Sequence, residues 1–183
     1  LAQDEEIERL KKVNEQLFEE NKVQKIEINN LNSTITNINI SNKKLEEQIE
    51  VASRLELLDV EVIGIFRNGS QKRNQFKYRS LERLNINFIL GENNLAKIEV
   101  LDLYISIQKP NGEIIYDISN GSGSFTFEKR EVFFTVKDEL LIDKSEKKLS
   151  VNYLISEEFK KGSYLVHIYT NEYKIGSGEF LIK

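Results

Sequence analysis

Apolar residues recur at alternating steps of three and four along the first part of the chain, the spacing of one face of an α-helix. With Ile7 at heptad position a, positions a and d keep one register for seven heptads without a stutter. We therefore predict that residues 1–56 form a parallel two-stranded coiled coil and that the protein is a homodimer. The predicted dimer interface consists of Ile7, Leu10, Asn14, Leu17, Asn21, Ile28, Leu31, Ile35, Ile38, Asn42, Leu45 and Ile49.

The residue types along this seam favour two strands over three or four. Ile at a with Leu at d is typical of parallel dimers, and Asn at a fixes the register of a dimer at a cost in stability. The pairs Glu6–Lys11 and Glu20–Lys25 have opposite charges at positions that face each other in a parallel pair. Polar layers at and after Asn21 leave a higher oligomer open as the alternative.

After Leu58 the pattern changes to alternation of apolar and polar residues, as in Leu84–Phe88 and Leu101–Ile107. Turn signals such as Asn68-Gly69 separate these runs. About eight short strands without intervening helices are typical of a β-sandwich. We therefore predict one Ig-like domain over residues 57–183. The predicted fold class is an N-terminal parallel coiled coil plus an all-β Ig-like sandwich.

A tyrosine near the end of the chain supports this prediction. Tyr164 opens a strand in the sequence Gly-Ser-Tyr-Leu-Val, directly after the charged segment 157–161. This arrangement resembles the tyrosine corner of Ig-like domains, in which the hydroxyl bonds back to the preceding loop. The simpler interpretation is a half-buried tyrosine at the start of a strand.

Composition excludes several classes of protein and leaves the partner open. The chain has 183 residues, a net charge of −4 and no cysteine, so disulfides and thiol catalysis are excluded. No apolar run reaches the roughly 18 residues that suggest a membrane span. The sequence begins with Leu1 and contains no methionine, so we expect that its natural start is missing and that an anchor could precede it.

The sequence contains no motif typical of a catalytic or metal-binding site. The single histidine, His167, lies between two apolar residues of a predicted strand, where an exposed strand histidine is the simplest interpretation. The glycine-rich run 120–124 lacks the Gly-Lys-Ser/Thr end of a phosphate loop and leads into a strand, so we interpret it as a turn. We predict that the protein is not an enzyme and that it needs neither a cofactor nor a metal.

The most unusual local feature is a basic segment, residues 67–83, which contains six Lys or Arg residues and one acid. Such a segment suits an anionic partner such as nucleic acid. Because its basic residues alternate with Asn, Gln and Ser, we favour a solvated hairpin and expect nucleic acid not to be the partner. The candidate residues for an anionic partner are Arg67, Lys72, Arg73, Lys77 and Arg79.

Several motifs of the second segment occur in a recognisable order. The run 85–93 ends a strand in Gly-Glu-Asn, Leu103-Tyr104-Ile105 precedes Pro110-Asn111-Gly112, and the chain ends in Gly-Ser-Gly-Glu-Phe-Leu-Ile-Lys. In this the chain resembles uncharacterised Bacteroidetes proteins, some of which are labelled chromosome-partitioning proteins. The resemblance covers most of residues 58–183. It implies an N-terminal membrane helix, a coiled coil and a C-terminal Ig-like domain, and no known catalytic residues.

These observations lead to one functional hypothesis and one alternative. The hypothesis is a non-enzymatic structural or binding protein, a dimer that displays an interaction domain for an unknown protein or polysaccharide. The resemblance implies that it is tethered to a membrane only through an anchor absent from this sequence, in the bacterial cell envelope on the periplasmic or surface side. The alternative is a cytoplasmic, nucleic-acid-associated protein that uses residues 67–83.

Overall fold

A computed structural model describes residues 2–183, with side chains from Gln3 onward. The predicted coiled-coil segment 1–56 therefore begins at a residue, Leu1, that lies outside the described residues. The chain divides into two compact units, one that ends at Glu50 and one that spans Val51–Lys183. The first unit is almost entirely helix, and the second is rich in β-strands.

The single α-helix, α1, spans Ala2–Ala52. Neither glycine nor proline occurs in this range, so nothing in the backbone interrupts the helical hydrogen bonds. Asp4 and Glu5 lie in the first turn, where their negative charge is favourable beside the helix N-terminus. At about 1.5 Å per residue, the helix is roughly 75 Å long.

Eleven β-strands and one turn of 3₁₀-helix follow α1. The strands are β1 (Leu57–Phe66), β2 (Gln71–Arg73), β3 (Gln75–Phe76), β4 (Leu81–Leu90), β5 (Glu99–Gln108), β6 (Gly123–Phe127), β7 (Arg130–Phe134), β8 (Val136–Ile142), β9 (Lys147–Leu154), β10 (Gly162–Tyr169) and β11 (Lys174–Ile182). The 3₁₀ turn spans Ile118–Asn120.

These strands form three sheets. A four-stranded sheet has the order β2-β1-β4-β9, a five-stranded sheet has the order β3-β11-β10-β5-β8, and β6 and β7 form a separate hairpin. Neighbouring strands are antiparallel except β3 and β11, which are parallel over two residues. The larger sheets contribute to one hydrophobic core, in which Ile86, Ile105 and Val166 are completely buried.

The predicted fold class, an N-terminal parallel coiled coil plus an all-β Ig-like sandwich, is wrong. The structure contains one long helix, and no second helix packs against it among residues 2–183. The heptad pattern therefore marks an apolar stripe on a single helix. In the β-rich unit, a third sheet and a parallel strand pair depart from the Ig-like arrangement of about seven to nine antiparallel strands in two sheets.

Two glycines of β11 explain how the larger sheets approach each other at one side. A Cβ atom at Gly176 would lie 2.7 Å from Leu57 Cδ1, and one at Gly178 would lie 2.7 Å from Val60 Cγ1. Real Cβ atoms do not approach other atoms so closely, so these positions require glycine. The Gly-Ser-Gly of the chain end is therefore a packing feature of β1 against β11.

The Tyr164 hydroxyl makes the contact that the sequence predicted. It donates a 2.9 Å hydrogen bond to the backbone oxygen of Lys160, in the segment that precedes β10. The ring is 1% exposed and stacks on Phe180, with the ring centroids 5.0 Å apart. Burial is the largest influence on this phenol and raises the pKa of Tyr164. The hydrogen bond thus satisfies a hydroxyl that would otherwise be buried without a partner.

Candidate functional site

The predicted interface residues of α1 all lie on the surface of the single chain. Each apolar member of the set retains between 52% and 58% of its side-chain exposure, as Ile7 and Leu10 illustrate. The three asparagines Asn14, Asn21 and Asn42 are exposed as well. An apolar stripe of this length is far larger than the scattered apolar residues of ordinary surfaces, which makes it a candidate interaction surface.

The middle of this stripe differs from its ends in charge. Residues 28–42 contain no Asp, Glu, Lys or Arg, whereas both flanking stretches of α1 are highly charged. Thr34 and Thr36 donate from their hydroxyls to the backbone oxygens of Asn30 and Asn32, one turn earlier. Asn and β-branched residues are modest helix formers, so this stretch depends on packing more than its neighbours do.

The basic segment 67–83 runs along β2 and β3 and the loops beside them. Arg67, Lys72, Arg73, Lys77 and Arg79 are all exposed, as is Arg83. Arg73 Nη1 lies 3.2 Å from Glu61 Oε1, and the remaining five cations form no ion pair among the described residues. The structure therefore brings these cations to one corner of the β-rich unit without neutralising most of them.

The aromatic residues of this segment point away from solvent. Phe76 is 2% exposed and stacks on Phe180, with the ring centroids 5.6 Å apart. Tyr78 is half-buried and meets Phe159 edge-on. Proteins that bind single-stranded nucleic acid without sequence preference combine positive charge with exposed ring faces on which bases stack. This corner has the charge, but neither of its aromatic rings is fully exposed.

Asn74 ties the same corner to both larger sheets. Its backbone is left-handed (φ 51°), and its Oδ1 accepts a 2.8 Å hydrogen bond from the backbone NH of Val62 in β1. Its backbone oxygen accepts from the NH of Leu181 in β11. The polar residues between the basic ones thus include one that fixes the backbone.

A groove that sequence reasoning did not find lies on the outer face of the four-stranded sheet. Its volume is about 310 Å³, at the lower end of the range for ligand pockets. Strand β4 forms the floor, and β1 and β9 form the sides. The outward-facing groove residues are Asp59 and Glu61 on β1, Asn87 and Ile89 on β4, and Lys148 and Ser150 on β9.

Strand register places these side chains in rows across the sheet. Glu61 lies opposite Asn87, which lies opposite Ser150. The adjoining row consists of Ile63 on β1, Asn85 on β4 and Asn152 on β9. The Ser150 hydroxyl donates a hydrogen bond to Asn85 Oδ1, which links the two rows. The three strands meet only through long-range pairing, so the alternating pattern within each strand does not reveal the groove.

A second polar cluster covers the outer face of the five-stranded sheet. Lys137 Nζ lies 2.9 Å from Asp102 Oδ2, which also accepts a hydrogen bond from the Tyr104 hydroxyl. The hydrogen bond from Lys137 lowers the pKa of the Asp102 carboxyl and the same bond raises the pKa of Lys137, while burial raises the pKa of Tyr104. The Tyr104 ring stacks on Phe125 of the β6–β7 hairpin at 4.1 Å. The cluster therefore holds the hairpin against the sheet.

His167 lies on the same face and is half-buried, not exposed as the sequence predicted. Its Nδ1 is 3.0 Å from Lys174 Nζ, which can only donate. The contact fits a neutral imidazole that accepts at Nδ1 and carries its proton on Nε2. Burial lowers the pKa of His167, and the positive charge of Lys174 lowers it further.

The glycine-rich run 120–124 forms the turn that the sequence predicted. Gly121 ends the 3₁₀ turn with a left-handed backbone (φ 86°), and β6 begins at Gly123. Within residues 2–183, no group of three or more acidic or histidine side chains is arranged to hold a metal ion.

No helix in the part of the chain that the structure describes has both the length and the apolar character needed to cross a membrane.

Comparison with known proteins gives a family but no activity. The family model described as "Domain of unknown function (DUF8428)" matches residues 58–183, and the chain belongs to this family. No curated protein matches the chain. Among solved structures, it is similar to Pseudomonas fluorescens alkylpurine DNA glycosylase AlkC bound to DNA containing an abasic site analog, with 16% identity and a TM-score of 0.43. That match covers 72% of this chain and 31% of the other, so the chain spans under a third of that structure.

Proposed function

We propose that this member of the DUF8428 family is a non-enzymatic binding protein that forms a homodimer through α1, each copy displaying one β-rich interaction unit. The observation that carries the proposal is the exposed apolar stripe of α1, whose nine Ile and Leu residues are each more than half exposed in the single chain. The cell-envelope location and the membrane anchor implied by the family resemblance remain predictions.

The energetics favour association. Fully burying one Leu or Ile side chain stabilises by about 1.5–3 kcal/mol relative to leaving it exposed. Association of two proteins costs about 4–15 kcal/mol in lost translational and rotational freedom. By the same measure, half-burial of nine residues on each of two helices contributes about 14–27 kcal/mol, which is comparable to or larger than that cost. The polar layers at Asn14, Asn21 and Asn42 reduce this gain.

The decisive experiment is sedimentation equilibrium on the full chain at micromolar concentration. We expect a dimer for the natural sequence and a monomer for the double variant Leu31→Asp with Ile35→Asp, which places charges in the stripe. The matched control is Ile26→Asp with Ile40→Asp, because both isoleucines are exposed but lie on the opposite side of α1. A monomeric natural protein, or equal dissociation in both double variants, would contradict the proposal.

The alternative of nucleic-acid association receives less support. Five exposed cations of residues 67–83 form no ion pair among the described residues, which favours an anionic partner, but Phe76 is buried and Tyr78 is half-buried against Phe159. The apolar stripe of α1 has no role in that alternative. We therefore place the binding function elsewhere on the β-rich unit.

A further inference from the structure

We propose that the groove on the outer face of the four-stranded sheet binds a neutral glycan chain. This inference rests on the proposed function in one respect, because the proposed function makes the β-rich unit a binding unit. It names the site and the chemical class of the ligand, and neither depends on dimerisation through α1.

The residue types of the groove are costly for a sheet, which argues that they serve a ligand. Asn is depleted in strands because it packs poorly on a pleated surface and competes with the backbone for hydrogen bonds. Yet Asn87 lies in the groove on β4, a strand with a neighbour on each side, and Asn85 and Asn152 face each other in the adjoining row beside the groove. Thr or Val would stabilise these positions better.

The donors and acceptors of the groove match sugar hydroxyls. An amide side chain donates and accepts at the same time, as does each hydroxyl of a sugar. The carboxylates of Asp59 and Glu61 accept strongly from hydroxyl donors. Ile89, half-buried in the floor between them and Lys148, supplies an apolar surface for the C–H face of a sugar ring.

The charges of the groove select against other partners. The groove contains the acids Asp59 and Glu61 and the base Lys148, and Arg73 Nη1 lies 3.2 Å from Glu61 Oε1, so acids and bases are equal in number here. A near-neutral groove does not concentrate a polyanion, so nucleic acid and acidic polysaccharides are disfavoured. An amphipathic helix needs an apolar groove, whereas the outward-facing residues of this groove are polar or charged except for the half-buried Ile89.

The test is an NMR titration of the ¹⁵N-labelled full chain with four neutral hexasaccharides: cellohexaose, xylohexaose, maltohexaose and chitohexaose. We expect at least one of them to shift amide signals of β1, β4 and β9 at millimolar concentration or below. A heparin hexasaccharide and a single-stranded DNA oligonucleotide serve as anionic comparators. The proposal fails if no neutral hexasaccharide shifts these signals, or if only the anionic probes do.

Two variants separate binding from stability. Asn87→Thr should weaken the affinity for the bound hexasaccharide by about tenfold or more. It should leave the domain at least as stable as before, since Thr is the better strand former. Asn171→Thr, the same change at an exposed position after β10, should leave the affinity unchanged. Equal affinity of the Asn87→Thr variant and the natural protein would overturn the proposal.

The outcome is independent of the dimer experiment. The Leu31→Asp, Ile35→Asp variant should bind the same hexasaccharide as the natural protein, because the groove lies entirely within residues 59–150. Glycan binding by a monomeric natural protein would refute dimerisation and support the groove. A dimer that binds no glycan would support dimerisation and refute the proposal for the groove.

Discussion

The two units of this protein use the same apolar residue types in opposite ways. In α1 the isoleucines and leucines repeat every three or four residues and remain more than half exposed, as at Ile28 and Leu31. In the β-rich unit they repeat every second residue and are buried between two sheets, as at Leu84 and Ile86. A sheet can bury its apolar face against a second sheet of the same chain. The β-rich unit therefore buries its apolar residues within one chain, whereas the apolar stripe of α1 stays exposed in the single chain.

The largest test of this contrast exchanges two phenylalanines for alanine. Phe180 is 1% exposed and stacks on Phe76 and Tyr164, whereas Phe18 of α1 is 69% exposed. We expect Phe180→Ala to lower the free energy of unfolding of the β-rich unit by about 3–5 kcal/mol, through lost burial and the cavity left behind. Phe18→Ala should change it by less than about 0.5 kcal/mol.

The chain allows this measurement to be made on one unit at a time. It contains no tryptophan, and all seven tyrosines lie between Tyr78 and Tyr173, in the β-rich unit. Tyrosine fluorescence during urea denaturation therefore follows that unit alone, while the far-ultraviolet circular dichroism signal of helix follows α1. Comparable losses from the two variants would mean that the units are not energetically separate.

A structural feature can be predicted from the sequence when its pattern is carried by residues that are close together along the chain. The helical period revealed α1, because apolar residues such as Leu10 and Leu17 recur one or two turns apart. Alternation likewise revealed long strands such as β4 and β5. By contrast, β2 and β3 have three and two residues, too few for any period to show. The error in fold class came from assuming what covers an apolar stripe, since the stripe itself does not identify its partner.

The groove was missed for a different reason. Asn87 is 26 residues from Glu61 and 63 residues from Ser150, and only the strand pairing brings the three into one row. Its polar residues also looked like the ordinary solvent face of alternating strands. One sequence signal does mark this region. Asn is uncommon in strands, yet Asn85 and Asn87 both lie on the outward face of β4.

A smaller effect is expected at the corner of the β-rich unit. Tyr164→Phe keeps the ring packed against Phe180 and Phe159 but removes the 2.9 Å hydrogen bond to the Lys160 oxygen. We expect the free energy of unfolding to fall by about 0.5–1.5 kcal/mol in urea denaturation. Tyr116→Phe is the matched control, since that side chain is 46% exposed. An unchanged midpoint for Tyr164→Phe would show that the hydroxyl does not stabilise this unit.

The smallest effect concerns pH and the only histidine of the chain. Burial lowers the pKa of His167 below its ordinary value of 6.5, with a further contribution from Lys174. In the unfolded chain the ring regains its ordinary pKa, so between the two pKa values the unfolded state binds more protons than the folded state. The stability that comes from keeping this ring neutral is therefore complete above about pH 6.5 and is lost as the pH falls towards the folded-state pKa.

Of the residues named here that face His167, Lys174 is charged and two are serines, and this determines the variants to compare. Lys174 is 3.0 Å from Nδ1, Ser177 lies opposite on β11, and Ser106 lies opposite on β5. We expect urea denaturation, followed by tyrosine fluorescence, to give a lower midpoint at pH 5.5 than at pH 7.5, with Asp and Glu still largely ionised. His167→Gln should remove most of that difference, and Lys174→Gln should reduce it because one of its two causes is gone. If the midpoint difference between pH 5.5 and pH 7.5 persists unchanged in His167→Gln, the pH dependence arises from carboxylates elsewhere and not from His167.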